Sequence, residues 1–338
     1  SLSFWFLSRD LHGTLNYAAK IHLMSDILEQ LTSIVGADKV VPAELVAERP
    51  TSFWNSAPMR AKAILRPEST AEVAAVLRCC HENRQTVITH GGLTNCVAAA
   101  ESGPEDIVLS LEKMNRIEEI DRVGGTATVE AGAVLQLVQE AVAEQEFYFP
   151  LDLGARGSCT IGGNIATNAG GINVLRYGMM RSLVLGLEAV LADGTIVSSM
   201  NRMLKNNAGY DVKQLFIGTE GTLGVVTRAV IRLFPKPASR QDALVALPTF
   251  DAVVDFLGRL QKELAGGLSA FEIMWGDYFT AVTGTGGHRA PMARDYPLYV
   301  VLQAEGGDPH ADDERFEQVL GRALEDGIIV DAVVPKSE

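Results

Sequence analysis

The chain has 338 residues, 47% of them hydrophobic, so it is long enough and apolar enough for two or three globular domains. Its 29 basic and 42 acidic side chains give a net charge of -13, which argues against a nucleic-acid partner because phosphate binding needs a basic face. Four cysteines without disulfide or metal spacing indicate a reducing compartment. The sequence has no run of roughly 18 apolar residues, so no transmembrane helix is predicted.

Strands and helices alternate in the first half of the chain. Ser69 and Glu72 form a capping box that predicts the start of a helix, whose apolar residues then recur at helical spacing. An apolar run at 61–65 predicts the strand before this helix, and residues 86–89 predict the strand after it. The second strand leads into the glycine turn at 90–95. Together they predict a βαβ unit with a ligand-binding loop at its end.

Further strands and one helix lead up to a second glycine turn. Strands are predicted at 107–111, 117–120, 127–130, 183–191 and 195–197, and a helix at 134–142. Asp193-Gly194 predicts a hairpin, since both residues can take positive φ. A short helix at 211–216, with Asp211 near its start, precedes the glycine turn at 218–224 and a strand at 225–234.

Pro235 and Pro237 predict a domain boundary, and the pattern after them is that of an α+β domain. Strands are predicted at 243–247, 269–274, 298–304 and 328–334, helices at 250–264 and 311–325, and a mobile loop at 284–288. Asp308, His310, Asp312 and Asp313 have the composition of a metal site. Acidic residues ahead of a helix are, however, its ordinary N-terminal charge bias, so we predict no metal there.

The segment 149–171 packs six glycines among Ser, Thr and Asn side chains, so its backbone can approach a ligand closely. Leu151, Leu153, Ile161 and Ile165 lie between them and predict a loop packed against a core. The sequence has neither a Gly-x-Gly-x-x-Gly turn at a strand–helix junction nor a P-loop. Glycine clusters at 90–95, 154–171 and 218–224 therefore indicate a large cofactor contacted at several points, and FAD is the candidate.

Several motifs in this order resemble the FAD-binding (PCMH-type) domain of the vanillyl-alcohol oxidase family. They are Thr89–Asn95, Pro150–Gly171, Arg176–Gly178, Leu185–Glu188, Asn207–Asp211 and Gly218–Thr227. Within that family they resemble the D-2-hydroxyacid dehydrogenases, first D-2-hydroxyglutarate dehydrogenase and next D-lactate dehydrogenase. The resemblance implies an α+β fold with a PCMH-type FAD-binding domain of two α+β subdomains at 59–237. A partly helical lead-in at 1–58 would precede it, with short helices at 23–49, and an incomplete substrate domain of the FAD-linked oxidase type would follow at 238–338.

The resemblance also implies which residues contact FAD. They are Gly91, Gly92, Leu93, Thr94 and Asn95 around the pyrophosphate; Pro150, Asp152, Gly154, Gly157, Ser158, Thr160, Gly162, Gly163, Asn164, Asn168 and Gly171 along the ribityl chain and isoalloxazine; and Glu220, Gly221, Thr222, Gly224 and Val226 around the adenine half. Some relatives attach FAD through a histidine that follows the paired glycines. Leu93 occupies that position here, which predicts non-covalent FAD. His90 precedes the glycines and is interpreted as structural, and protonation of its imidazole by a neighbouring pyrophosphate is left open.

The implied activity is oxidation of a D-2-hydroxy acid, D-2-hydroxyglutarate or D-lactate, to the 2-oxo acid by hydride transfer to flavin N5. The family carries a substrate-binding arginine and lysine in its second domain, and a His-x-x-Gly-Asp-Gly-Asn-x-His segment for a divalent metal. This sequence contains no such segment. We therefore expect an N-terminal portion without the complete substrate site, and we assign no catalytic residue. The alternative is a flavin-binding fragment or remnant without turnover.

The predicted partners are a small 2-hydroxy acid and an unidentified electron acceptor. Nucleic acid is not expected, and homo-oligomer formation is left open. The free cysteines indicate the cytoplasm or another reducing compartment, with the mitochondrial matrix as the eukaryotic option.

Overall fold

The structure, a computed structural model, describes residues 27–285 and 290–335. The start of the predicted lead-in and most of the predicted loop at 284–288 lie outside these residues. The helices are α1 (Ile27–Val35), α2 (Ala43–Val46), α3 (Thr70–Glu82), α4 (Leu135–Ala143), α5 (Ile161–Ala166), α6 (Val174–Tyr177), α7 (Met180–Leu183), α8 (Phe250–Glu263), α9 (Gly276–Gly284) and α10 (Pro309–Glu325). Short 3-10 helices span Ala37–Lys39, Ala98–Ala100 and Val212–Leu215.

The strands are β1 (Val40–Pro42), β2 (Ala63–Leu65), β3 (Val87–His90), β4 (Ile107–Ser110), β5 (Ile117–Asp121), β6 (Thr126–Glu130), β7 (Phe147–Tyr148), β8 (Val184–Val190), β9 (Ile196–Ser199), β10 (Val225–Arg232), β11 (Phe234–Pro235), β12 (Ser239–Leu247), β13 (Leu268–Trp275), β14 (Leu298–Gly306) and β15 (Asp331–Val333). This mixture of helices and sheets confirms the predicted α+β class. None of the described helices combines the length and the apolar composition needed to cross a bilayer.

The described residues form two compact units, each assembled from separated stretches of chain. The first unit contains the described residues up to Val138, together with Ala155–Thr167 and Val184–Ile231. The second contains Gln139–Gly154, Asn168–Leu183 and the residues from Arg232 onward. Two sheets lie in the first unit, and a four-stranded sheet and the β7–β11 pair lie in the second. The segment 149–171 contributes residues to both units.

The first sheet has the strand order β1-β2-β4-β3, with β2 and β3 both parallel to β4. The predicted βαβ unit therefore has a strand between its two strands. All four residues of β4 are buried, whereas β3 is mostly half-buried, so the more apolar β4 takes the central position. The predicted cap of α3 is confirmed, since Ser69 accepts a hydrogen bond from the Glu72 backbone N–H at 3.2 Å.

The second sheet of this unit has the order β5-β6-β10-β8-β9, and the pairs β5–β6 and β8–β9 are antiparallel hairpins. The hairpin between β8 and β9 is as predicted, but of its turn residues only Gly194 takes positive φ, at 81°. The turn is longer than the predicted two-residue type, because the Leu191 N–H donates to the Thr195 carbonyl at 2.9 Å. Asp193 instead accepts a hydrogen bond from the Thr195 N–H at 2.9 Å.

The four-stranded sheet of the second unit has the order β13-β14-β12-β15. Helices α8 and α10 pack on one face, where Phe256 and Phe316 join Val245 and Val300 in a fully buried cluster. These elements match the predicted strands and helices after Pro237. Helix α9 was not predicted, although it ends at Gly284, where the mobile loop was expected to begin.

Candidate cofactor-binding site

The glycine-rich segment contains a helix where a loop was predicted. Helix α5 begins after Thr160, whose hydroxyl accepts a hydrogen bond from the Gly163 N–H at 3.3 Å. The predicted packing against a core is confirmed, since Leu151, Ile161 and Ile165 are buried. Because Ile161 and Ile165 are four residues apart, a single helical turn buries both of them, which outweighs the poor helix propensity of the two glycines.

The turn at 90–95 packs directly against this segment within the first unit. A Cβ placed on Gly92 would lie 2.1 Å from the Ser158 carbonyl oxygen, and one on Gly91 would lie 2.7 Å from the Thr160 hydroxyl oxygen. Neither position has room for a side chain. The backbones of two predicted cofactor segments are therefore in contact.

The turn at 218–224 joins them from the other end of α5. The Gly218 N–H donates to the Ile165 carbonyl at 3.0 Å, and the Glu220 N–H donates to the Ala166 carbonyl at 2.9 Å. Gly221 takes positive φ, and its Cβ position lies 3.7 Å from the Thr89 hydroxyl oxygen. All three glycine clusters that are separated in sequence therefore meet around α5 in one unit.

Five of the predicted cofactor residues lie in the second unit, namely Pro150, Asp152, Gly154, Asn168 and Gly171. Gly171 takes φ of +77° and comes so close that its Cβ position is 2.1 Å from the Asp152 carbonyl oxygen. The Asn168 side chain accepts a hydrogen bond from the Arg181 N–H at 2.9 Å, at the start of α7. Asn168 therefore has a structural partner in its own unit.

Backbone strain is concentrated at the predicted cofactor residues. Six described residues other than glycine take positive φ, and three of them are Leu93 (54°), Asn168 (49°) and Glu220 (53°). Left-handed backbone costs a bulky L-residue such as leucine about 1–2 kcal/mol. Such conformations persist where the surrounding structure holds them and are enriched at ligand sites, so their location supports a binding role for these turns.

Two buried polar atoms in this region have no hydrogen-bond partner of normal geometry in the protein: the amide nitrogen of Asn164 and the amide oxygen of Asn95. The Asn164 side chain does interact with the Cys159 thiol, which is a weak acceptor. Asn164 is 3% exposed. Leaving such a group unpaired costs about 1–3 kcal/mol, so each atom calls for a partner from outside the chain. A polar cofactor with many donors and acceptors, as FAD is, fits both atoms.

The predicted cofactor glycines differ in the space that surrounds them. Gly92, Gly162 and Gly171 would bring a Cβ within 3.0 Å of other atoms of the protein. A Cβ on Gly154, by contrast, would meet nothing within 4 Å, and Gly154 is exposed. Close packing explains the first group. Open backbone at Gly154 is what a cofactor that approaches the main chain requires.

A cavity of about 530 Å³ in the first unit adjoins the third turn. Gly221, Thr222 and Gly224 line it, as does Thr89 from β3. Helix α3 also contributes lining residues: Leu77, Cys80, His81 and the following Arg84. The sequence missed these because their helical spacing indicated only a core face. Burial raises the pKa of the Cys80 thiol to about 12, so this lining group is neutral.

His90 is 3% exposed, and its Nε2 atom lies 2.8 Å from the Ala100 carbonyl oxygen. Burial lowers the pKa of the imidazole, which outweighs the hydrogen bond to Ala100. The ring is therefore neutral at pH 7 and donates from Nε2. This geometry agrees with a structural role and argues against the protonated form.

Of the acidic residues interpreted as helix-start residues, Asp308 forms a cap, whereas Asp211 precedes a 3-10 helix without capping it. Asp308 caps α10 by accepting hydrogen bonds from the N–H groups of His310 and Ala311, at 3.2 and 3.1 Å. Asp211 accepts from the Lys213 ammonium at 2.6 Å beside a short 3-10 helix. Within residues 27–285 and 290–335, no three His, Cys, Asp or Glu side chains are grouped as metal ligands.

Two family profiles match the sequence, one after the other. The profile described as "FAD binding domain" matches residues 61–199, and that described as "FAD linked oxidases, C-terminal domain" matches residues 236–338. The sequence is thus similar, in this order, to the FAD-binding domain and to the C-terminal domain of FAD linked oxidases. The first match contains the turn at 90–95 and the whole of α5, whereas the turn at 218–224 lies outside both matches.

Curated relatives agree with the predicted resemblance. A mitochondrial D-2-hydroxyglutarate dehydrogenase of Bos taurus is 39% identical over 311 residues, which are 90% of this chain and 57% of the relative. A putative mitochondrial D-lactate dehydrogenase of Schizosaccharomyces pombe is 34% identical over 98% of this chain and 64% of its own length. This chain thus spans about three-fifths of the length of these relatives.

Solved structures with the same fold confirm the predicted architecture. An alkyldihydroxyacetonephosphate synthase matches with a TM-score of 0.74 at 18% identity, over 91% of this chain and 62% of that protein. A p-cresol methylhydroxylase with bound substrate matches with a TM-score of 0.73 at 18% identity, over 93% of this chain and 66% of that protein. The fold is therefore a PCMH-type FAD-binding domain followed by an oxidase C-terminal domain.

Proposed function

We propose that this chain holds FAD non-covalently for the oxidation of a D-2-hydroxy acid to the 2-oxo acid. The observation that carries the proposal is the convergence of three glycine clusters around α5, with the unpaired Asn164 amide among them. The names of the curated relatives support the substrate class. Bound FAD would supply a hydride acceptor at flavin N5.

Different residues of the chain would hold different parts of FAD. In the first unit, the backbone at 91–95 and the exposed residue Gly157 offer N–H groups to a pyrophosphate, in the manner of an anion-binding nest, whereas the Ser158 N–H already donates to the Ala155 carbonyl at 2.9 Å. Gly221 and Thr222 line a cavity that is large enough for an adenosine group. Asn164 donates from its amide nitrogen to a cofactor oxygen. In the second unit, Gly154 presents open backbone to the flavin half.

Leu93 supports non-covalent attachment. It occupies the position at which some family members carry the histidine that bonds to the flavin, and its side chain has no nucleophilic atom. His90 is the histidine nearest in sequence, and it is buried and hydrogen-bonded to Ala100. Neither side chain offers a free nucleophile to the flavin ring.

An anaerobic reduction experiment tests the substrate class. The FAD-loaded chain is mixed with D-2-hydroxyglutarate, with D-lactate and with the L enantiomer of each, and the flavin absorbance is recorded. Loss of absorbance with a D acid alone supports the proposed oxidation. Equal loss with D and L acids contradicts it. The matched control is dithionite, which reduces any accessible flavin.

The alternative is a flavin-binding module without turnover. A flavin that dithionite reduces but that no hydroxy acid reduces would assign this chain the FAD-holding role alone. The electron acceptor is then identified by reoxidising the dithionite-reduced flavin with quinones, with a soluble electron-transfer protein and with oxygen.

The proposed compartment is a reducing one. All four cysteines are free, and Cys79, Cys80 and Cys159 are buried. The names of both curated relatives described above place those proteins in mitochondria. We propose the mitochondrial matrix for a eukaryotic source, and cell fractionation with antibody detection tests it.

A further inference from the structure

A buried carboxylate in the second unit forms hydrogen bonds with the segment that contains predicted flavin-binding residues. Glu305 is 5% exposed and lies on β14. Its Oε2 atom accepts a hydrogen bond from the Tyr177 hydroxyl at 2.7 Å. The neighbouring Arg176 donates from Nη1 to the carbonyl oxygen of Glu305 and, at 3.3 Å, to that of Gly267. Both side chains at the end of α6 are thus fixed to the four-stranded sheet.

Tyr177 also connects Glu305 to the segment that contains Pro150, one of the predicted flavin-binding residues. Its ring packs edge-on against Tyr148, with centroids 5.8 Å apart, and against Phe234, with centroids 4.8 Å apart. The Tyr148 hydroxyl accepts a hydrogen bond from the Asn173 amide at 2.9 Å. The same amide donates to the Pro150 carbonyl at 3.0 Å. Pro150 is one of the residues assigned to the flavin.

The two flavin-facing segments are also joined directly. The Ile172 N–H donates to the Asp152 carbonyl at 3.1 Å, next to the close approach of Gly171 to the same oxygen. A displacement of α6 would therefore move Gly171 and Pro150 together. Burial and the charge of Glu305 raise the pKa of Tyr177, so its hydroxyl stays protonated and remains a donor.

We propose that Glu305 and Tyr177 are positioning residues for FAD, which hold the segments 148–154 and 168–177 in their cofactor-binding arrangement. The inference rests on the proposed binding of FAD by this chain. Neither residue touches the cofactor in the proposal. Each acts through the hydrogen bond between them, because a charged acceptor makes this bond stronger than one between neutral groups.

The test measures release of FAD from the holoprotein of the parent, of Tyr177→Phe, of Glu305→Gln and of the double variant. The visible spectrum of the bound flavin is recorded first. The holoprotein is then diluted into buffer, and the release of FAD is measured as a rise in flavin fluorescence. Tyr177→Phe keeps the ring contacts and removes only the hydroxyl, so we expect it to fold. It therefore tests the proposal even if Glu305→Gln does not fold. The controls are Glu272→Gln and Tyr278→Phe, exposed residues of the same unit.

We expect Tyr177→Phe to release FAD roughly tenfold faster, and Glu305→Gln to release it faster than the parent by a smaller factor, because glutamine keeps an oxygen that accepts from Tyr177 but lacks the charge. The double variant should match Tyr177→Phe, in which the bond is already lost. A shifted flavin spectrum should accompany the faster release, whereas a purely structural role would lower the melting temperature alone. Release at the parent rate, or additive effects in the double variant, would overturn the positioning role. A parent chain that binds no FAD would instead refute the proposed function.

Discussion

At the scale of single residues, the glycines of the cofactor segment separate into those required by packing and those with free space beside them. Gly92 is required by packing, since a Cβ would lie 2.1 Å from the Ser158 oxygen. Gly154 has free space. We predict that Gly92→Ala lowers the free energy of unfolding of the cofactor-free protein by about 1–3 kcal/mol through overpacking. Urea unfolding followed by circular dichroism measures this.

Gly154→Ala should lower the affinity for FAD and leave the free energy of unfolding unchanged. Its methyl group meets no protein atom, so the free energy of unfolding should stay within about 0.5 kcal/mol of the parent value. FAD affinity should fall, because the methyl group occupies the space through which the cofactor approaches the backbone. Fluorescence titration with FAD measures the affinity. Unchanged affinity would show that Gly154 does not face the cofactor.

Asn164 supplies a second residue-scale prediction. Replacement by leucine, of similar size, removes a buried amide nitrogen that makes no hydrogen bond of normal geometry in the protein and interacts only with the Cys159 thiol, a weak acceptor. The free energy of unfolding without FAD should therefore remain equal or rise, while the extra stability conferred by added FAD should shrink. Melting temperatures with and without FAD measure both quantities. A variant that loses stability without FAD and keeps its FAD-dependent gain would contradict the role of Asn164.

His90 makes stability depend on pH. Burial holds its folded-state pKa below the ordinary value of 6.5, so between these two pH values the unfolded chain binds a proton that the folded protein does not. Stability then rises with pH across this window and is lost as pH falls through it. In His90→Gln this contribution is absent. The free energy of unfolding, measured with urea from pH 7.5 to 5, should change less steeply with pH in the variant than in the parent. An equal dependence on pH in both proteins would contradict a neutral buried His90.

At the scale of elements, capping and strand signals predicted those elements that local sequence determines. They failed for elements whose structure depends on burial in the folded protein. Ser69 and Glu72 mark the start of α3 in the sequence as they do in the structure. Helix α5 was missed because Gly162 and Gly163 have low helix propensity, and the packing of Ile161 and Ile165 stabilises it together with the Thr160 cap. The hairpin type was also missed, since Asp193 caps the turn with its side chain instead of taking positive φ.

The cap of α3 gives a prediction that is independent of the cofactor. Ser69→Ala removes the acceptor of the Glu72 N–H, so the free energy of unfolding should fall by about 1 kcal/mol, and Ser69→Asp should restore it. FAD affinity should be the same in all three proteins, because Ser69 belongs to none of the glycine clusters. Parallel urea unfolding and FAD titration check both statements. A loss of affinity in Ser69→Ala would link this end of α3 to the cofactor site.

At the scale of the whole molecule, fold class and motif order could be predicted, whereas the spatial grouping could not. The glycine clusters were visible as three separate segments, but their meeting around α5 depends on backbone contacts between distant residues, such as Glu220 to Ala166. The division of the segment 149–171 between two units follows from tertiary contacts in the same way. The role of Glu305 had no sequence signal, because a single glutamate in a strand carries no spacing pattern.

The central claim is that this chain binds FAD without a covalent bond. The most direct measurement is acid precipitation of the purified, FAD-saturated protein, followed by quantification of flavin in the supernatant and in the pellet. The account predicts a yellow protein that releases one FAD per chain to the supernatant and leaves a colourless pellet. A protein that takes up no FAD, or flavin that stays in the pellet, would contradict it.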